Sequence, residues 1–135
     1  MKKVSFDFDD TLSFKSTQEY AKKLIDEGIE IHITTSRYED PSRYPFKADH
    51  NDLFKVAEEL NIPKEHIHFT NFEDKYKFLT EKSCDDFRDF VWHLDDNDQE
   101  IFFIMQNTNI KGIWSLSGDY EHTCNNLLGL THLNK

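Results

Sequence analysis

The chain has 135 residues, a formal charge of −10 and twelve phenylalanines. The length suits one domain with a single hydrophobic core, and so aromatic a composition excludes a disordered chain. The acidic balance disfavours nucleic acid, a phosphorylated polymer that would need a local basic patch, and no stretch approaches the roughly 18 apolar residues of a membrane span.

In chain order, Lys3–Phe8 reads as a strand. A helix follows over Ser16–Glu27, with Tyr20, Leu24 and Ile25 at helical spacing and Gly28 as its stop. Ile29–Thr34 is a second strand, and Tyr38–Asp49, broken by Pro41 and Pro45, a loop. Asn51–Leu60 is a helix striped by Leu53, Phe54, Val56, Ala57 and Leu60. Ile67–Phe69 is a strand, Glu73–Lys82 a helix, Phe90–Leu94 a strand, Asp98–Gln106 a short helix, Gly112–Leu116 a strand and Tyr120–Leu130 a last helix. Strands separated by helices predict an α/β domain: a three-layer, Rossmann-like, doubly wound parallel sheet spanning residues 1–135. Met1-Lys2-Lys3 is separated from the first Asp by three residues only, far short of a secretory apolar region. A cytoplasmic location is therefore expected, with Cys84 and Cys124 as reduced, inert thiols rather than a disulfide.

Ligands of such a sheet sit outside the carboxyl ends of its strands. The first strand runs into Asp7, Asp9, Asp10 and Thr11, the second into Thr34-Thr35-Ser36-Arg37, and the fourth into Asp95-Asp96-Asn97-Asp98-Gln99-Glu100; Asp74-Lys75 opens a helix between the last two. Clustered carboxylates repel, by about 1 kcal/mol per pair at 4 Å even in water. A hard divalent cation, which prefers carboxylate oxygens, gives them a reason to converge.

The run Phe6-Asp7-Phe8-Asp9-Asp10-Thr11-Leu12 resembles the first motif of the haloacid dehalogenase-like phosphohydrolases: apolar strand, Asp, any residue, Asp, any residue, Thr. Ile31–Arg37 resembles the second motif, with Thr35 as its hydroxyl residue. Lys75 fits the third, a lysine at a helix start, with Lys77 as the fallback. Val91–Glu100 resembles the fourth, an apolar strand, Asp-Asp, three residues and an acid. Asp10 stands where the family often has Gly, and Glu100 where the last acid is often Asp.

The resemblance implies a small, capless phosphatase that hydrolyses phosphomonoesters through an aspartyl-phosphate. Asp7 would be the nucleophile. Asp9 would protonate the leaving oxygen and then activate water; its presence favours ester hydrolysis over dehalogenation, whose leaving group needs no proton. Mg²⁺ would bind Asp7, the Asp9 backbone carbonyl and Asp96, with Asp95 and Glu100 as supporting or alternative ligands. Thr35 and Lys75 would hold phosphoryl oxygens. Thr11, Ser36, Arg37 and Arg43 are candidate substrate contacts, and Asp10 is expected in a tight turn.

The gaps from Asp7 to Glu30 and from Arg37 to Lys75 leave no room for a cap domain, so the site is expected to be open. Arg37, Arg43, Tyr38, Tyr44 and Lys47 beside it suit phosphate and base recognition, which makes a small, nucleotide-like phosphate the expected substrate. A polynucleotide end is the alternative, set against the net charge. A receiver-like signalling domain is a further alternative, although Phe69-Thr70-Asn71-Phe72 offers no acceptor Asp after the third strand. So is a non-catalytic phosphate binder. His32, His68 and His93 fall one to a strand with no metal-ligand spacing, and are expected at polar or edge positions.

Overall fold

Five strands, Lys3–Phe6 (β1), Glu30–Thr35 (β2), Ile67–Phe69 (β3), Phe90–Asp95 (β4) and Lys111–Trp114 (β5), lie parallel in one sheet of order β3-β2-β1-β4-β5. The computed structural model describes residues 1–43, 49–86 and 88–135, and of 84–86 the backbone alone. Tyr44 and Lys47, expected beside the site, and the Cys84 thiol lie outside the described residues; Cys124 is buried and unpaired. The helices are Lys15–Asp26 (α1), Asn51–Glu59 (α2), Lys75–Asp86 (α3), Asp98–Asn107 (α4) and Tyr120–Leu128 (α5). Parallel strands joined by single helices, with helices on both faces, make this a Rossmann-like α/β fold. Among the described residues no helix is long and apolar enough to cross a membrane.

Several boundaries differ from the sequence pattern. β1 stops at Phe6 rather than Phe8, because Asp7 N–H makes a 2.8 Å bond to Leu94 O and the chain then winds through Phe8–Leu12. Asp10 sits at φ 59° inside that turn. This left-handed conformation is one that Gly, Asn or Asp tolerates, which is why an Asp can stand there. α3 starts at Lys75 rather than Glu73, since Asn71 and Phe72 both hold positive φ just before it. α5 ends two residues early, at Leu128, with Gly129 in the left-handed cap.

The strand alternation divides the sheet into two unlike faces. Val4, Phe6, Ile31, Ile33, Trp92 and Leu94 pack against α1, α2 and α5 as the main core, Phe6 meeting Trp92 edge-to-face at 5.3 Å. The opposite face, under α3 and α4, has a smaller apolar cluster of Leu79, Phe90, Ile104 and Ile110. Beside that cluster it carries buried polar groups: Lys3, Ser5, His32, Thr34, His68, His93 and Asp95.

The three histidines stand on this polar face, His68 on the edge strand β3, and they are interior because they bond to one another or to neighbouring strands. Thr34 Oγ1 meets Ser5 Oγ at 2.7 Å, Ser5 Oγ meets His93 Nδ1 at 2.9 Å, and His93 Nε2 meets Asp95 Oδ2 at 2.7 Å. A carboxylate only accepts, so the neutral imidazole donates through Nε2 and the hydroxyls donate toward it in series. A second series runs Glu30 Oε2–His32 Nε2 (2.6 Å) and His32 Nδ1–His68 Nε2 (2.9 Å).

Burial pulls the pKa of His32 down to about 4 and that of His68 down to about 3; burial also lowers that of His93. In the unfolded chain each would titrate near 6.5. Stability is thus whole above about pH 6.5 and drains as the pH falls toward the folded values. At pH 5, His32 and His68 are each expected to cost about 2 kcal/mol. Urea melts at pH 8, 6.5 and 5 measure this; a flat profile across that range would show the rings charged in the folded state.

Candidate active site

The strand order reverses direction at β1, whose neighbours β2 and β4 lead to opposite edges of the sheet. Crevices in open α/β sheets form at such a switch point, outside the carboxyl ends of the strands. Asp7 follows β1 and Asp95-Asp96 close β4 there. The cleft between them, about 380 Å³, is lined by Asp7, Asp9, Ser36, Lys75, Asp96 and Glu100 together with Asp10, Phe72, Asp95 and Asn97.

Lys75 is the centre of the arrangement. Its ammonium, buried at the start of α3, lies 2.7 Å from Asp7 Oδ1 and 2.7 Å from Asp95 Oδ2. Burial pulls its pKa down, but the charges of Asp7 and Asp95 outweigh that and hold it above its ordinary value. Lys77, the sequence alternative, is exposed. Glu100 Oε2 accepts from the Lys75 backbone N–H at 3.1 Å, so this acid caps α3 and fixes where the lysine starts.

The two carboxylates on Lys75 are not equivalent. Asp95 accepts on Oδ2 from Lys75 and His93 and on Oδ1 from the Asn97 N–H at 3.0 Å, which holds its carboxyl well below the usual range despite burial. Asp7 is the less satisfied partner. Burial raises its pKa well above the ordinary carboxylate value; Asp95 and a hydrogen bond with Asp96 push the same way, against Lys75. One ammonium faces two buried carboxylates here, and of the two it is Asp7 whose ionisation the site disfavours.

Asp7 Oδ2, the oxygen not used by Lys75, accepts from Thr11 Oγ1 at 3.0 Å, and the same hydroxyl stands 3.5 Å from Asp96 Oδ1. Asp7, Asp95 and Asp96 each offer an oxygen within 4.8 Å of the others. This all-oxygen set, with a surplus of negative charge, fits a hard cation such as Mg²⁺. Asp95, engaged on both oxygens, is placed to anchor Lys75, while Asp96 and Asp7 Oδ2 face each other across Thr11. Thr11, expected against substrate, is fully buried and braces Asp7 instead.

On the other wall, Asp9 is held by Arg37. The guanidinium donates to Asp9 through Nε (2.9 Å) and Nη2 (2.6 Å), and to Asp52 through Nη1 and Nη2 (both 2.9 Å). Bonds from Asp52 and Asp9 raise the already high Arg37 pKa, so this fork is permanently charged. Asp52, at the start of α2, has its carboxyl lowered chiefly by Arg37. Arg37, Asp9, Ser36 and Phe72 also border a second cleft of about 470 Å³ with Asp49, His50 and Asp52. The Asp9–Arg37 pair thus stands on the divide between the two clefts.

The hydroxyl expected to meet phosphate is placed differently. Thr35 is fully buried, its Oγ1 accepting from the Arg37 N–H at 3.3 Å, and the cleft is lined by its neighbour Ser36. Arg43 lies over the Tyr38 ring at 4.0 Å and is not among the described residues lining either cleft. Sequence reasoning gave no part in the site to Asp52, His93, Ser5 or Phe72. The first carries no motif, and the others show only as alternation within strands or as an exposed aromatic in a loop. Comparison of the chain with protein-family models, curated proteins and solved structures gives no match.

Proposed function

We propose that the chain is a capless phosphatase of the haloacid dehalogenase-like kind, hydrolysing a phosphomonoester with Mg²⁺ through an aspartyl-phosphate on Asp7. The observation that carries this reading is the division of Asp7 between two environments: Oδ1 on the buried ammonium of Lys75, Oδ2 toward Thr11 and Asp96. A carboxylate kept from ionising fully until a cation arrives suits a nucleophile that is activated only in the loaded site.

Asp7 and Asp96 would hold the metal, with Asp95 keeping Lys75 in place behind them. Bound there, Mg²⁺ supplies charge neutralisation for the attacking carboxylate and the phosphoryl oxygens. Asp7 attacks phosphorus, forming an acyl–phosphate bond as the phosphorus–oxygen ester bond breaks. Asp9 gives a proton to the departing oxygen, then takes one from the water that cleaves the acyl–phosphate. Lys75 and Ser36 face the phosphoryl oxygens. Because Asp9 rests on Arg37 as a carboxylate, a phosphate dianion competing for that fork would free Asp9 to take a proton from solvent, the proton it then passes to the departing oxygen.

Arg37→Ala is accordingly expected to raise KM about tenfold or more, in keeping with the ~1.5–3 kcal/mol of a charged hydrogen bond, with a smaller effect on kcat. An unchanged KM would make Arg37 a structural brace between Asp9 and Asp52 only.

The second cleft, with Phe72 60% exposed at its rim, gives room for a leaving group such as a nucleoside. A polynucleotide end is the second reading, favoured by the absence of a covering domain among the described residues and opposed by the charge of −10. A receiver-like role is disfavoured by the sheet, since flavodoxin-like receivers take the order 2-1-3-4-5 whereas β3 is here an edge strand followed by Thr70. The test is hydrolysis of p-nitrophenyl phosphate, nucleoside monophosphates and end-phosphorylated oligonucleotides, with Mg²⁺ and with EDTA. Mg²⁺-dependent release from the small esters is expected; release that EDTA does not affect would overturn the mechanism.

A further inference from the structure

The buried histidines of β2 and β3 have no part in phosphate chemistry, yet they converge. Glu30 and His32 lie on β2, His66 closes the short turn Lys64–His66, and His68 lies on β3. The β2–β3 register, Ile33 against Ile67, sets His32 beside His66 on one face. Their rings stack at 4.0 Å with a 19° tilt.

The hydrogen bonds fix which nitrogens are turned where. His66 Nδ1 stands 3.2 Å from the Ile31 carbonyl, which only accepts, so Nδ1 is the donor and Nε2 is the nitrogen left for a ligand. His66 Nε2 lies 3.8 Å from Glu30 Oε2. His32 Nε2 meets the same oxygen at 2.6 Å. Glu30 Oε2 therefore has an imidazole nitrogen on each of two stacked rings beside it, and a proton of His32 bridges it to the nearer one.

Glu30 Oε1 is held separately by Arg88 at 3.0 Å, which leaves Oε2 for the imidazoles. His68 Nε2, 2.9 Å from His32 Nδ1, holds the His32 ring from the side opposite Glu30. Such outer partners are what orient ligating histidines.

We infer that Glu30, His32 and His66 form a second metal centre, for a borderline transition-metal cation such as Zn²⁺, toward the amino ends of β2 and β3 and away from the carboxylate cleft. One oxygen and two imidazole nitrogens leave a fourth position open. Bonds of about 2.0–2.1 Å place tetrahedral ligands about 3.3 Å apart. The three ligand atoms already lie within 4.8 Å of one another, and the stacked His32 and His66 rings turn apart to bring both in-plane lone pairs onto the ion. The protonation states agree: Glu30 is held below the usual carboxylate range because His32 and Arg88 outweigh its burial, and burial keeps His32 neutral. A cleft of about 130 Å³ is bordered by Glu30, His66, Asn61 and Ile62. The centre clamps the three-residue edge strand β3 to β2.

The test uses the full chain stripped of metal. Zn²⁺ is titrated against a chromophoric chelator, and Co²⁺ absorption reports the ligand set. One equivalent with a tetrahedral Co²⁺ spectrum is expected, retained in Asp96→Asn, lost in His66→Ala and in Glu30→Gln, and weakened about tenfold in His68→Gln. Circular dichroism confirms that each variant folds, and two independent ligand variants guard against one that does not. Mg²⁺-dependent phosphatase turnover is expected to be unchanged in His66→Ala, so the two sites stand or fall separately. Zn²⁺ binding that disappears only with Asp96→Asn, that persists in both His66→Ala and Glu30→Gln, or that is absent from the parent chain overturns the proposal.

Discussion

Lys75→Met is expected to destabilise the fold by about 3–5 kcal/mol and to abolish turnover. The side chain lies between Asp7 and Asp95 at 2.7 Å from each, and its own exposure is 2%. Removing one partner of a buried ion pair leaves an uncompensated charge, which is the costly half of such interactions. Here two carboxylates would lose one cation. They would answer by taking up protons, so their folded pKa values would rise above the unfolded ones. The variant's stability is then best at low pH and falls as the pH rises through the raised values, so its deficit against the parent is larger at pH 8 than at pH 5. Lys77→Met, two residues on and exposed, is expected to stay within about 0.5 kcal/mol of the parent. Denaturant melts of both variants measure the difference; equal midpoints would show that Lys75 does not carry the buried charge balance.

Asp7→Asn is expected to move activity and stability in opposite directions. Turnover should fall by about 10⁴-fold or more, some 5.4 kcal/mol of barrier at 1.36 kcal/mol per tenfold. The metal-free protein should gain about 1–2 kcal/mol, because an amide of the same shape can accept from Lys75 without the cost of a second buried anion. The gain should vanish when Mg²⁺ is added to the parent, since the cation stabilises the parent and not the variant. A loss of stability in the metal-free variant would mean that Asp7 is fully ionised and well paired at rest, against the direction that burial gives it.

The fold was legible because the alternation of strands and helices is strong, and the strands that converge at the switch point end in acids. Asp7, Asp95, Asp96 and Lys75 could be picked out for that reason, and the structure brings all four together. What the sequence hides is mostly long-range pairing. Asp52 looks like an ordinary acid in the first turn of a helix, and only the folded chain puts it on Arg37. The polar face of the sheet was misleading in a different way. Alternation such as Lys3-Ser5-Asp7 or Glu30-His32-Thr34 ordinarily marks a face turned to water, yet α3 and α4 cover this one and its groups satisfy each other. The choice between Thr35 and Ser36 depends on where β2 ends and which way the next residue turns, and a run of three hydroxyls does not specify that.

In the proposed mechanism a phosphoryl group passes to Asp7. This transfer is tested most directly by acid-quenching Asp9→Asn with p-nitrophenyl phosphate and Mg²⁺, then mapping phosphorylated peptides by mass spectrometry. The p-nitrophenolate leaving group departs without needing a proton, so the first step survives this substitution while hydrolysis of the adduct slows. A phosphoryl group on Asp7 is expected, absent in EDTA and absent when Asp7→Asn is added. Phosphoryl found on another residue, or turnover persisting in Asp7→Asn, would contradict it.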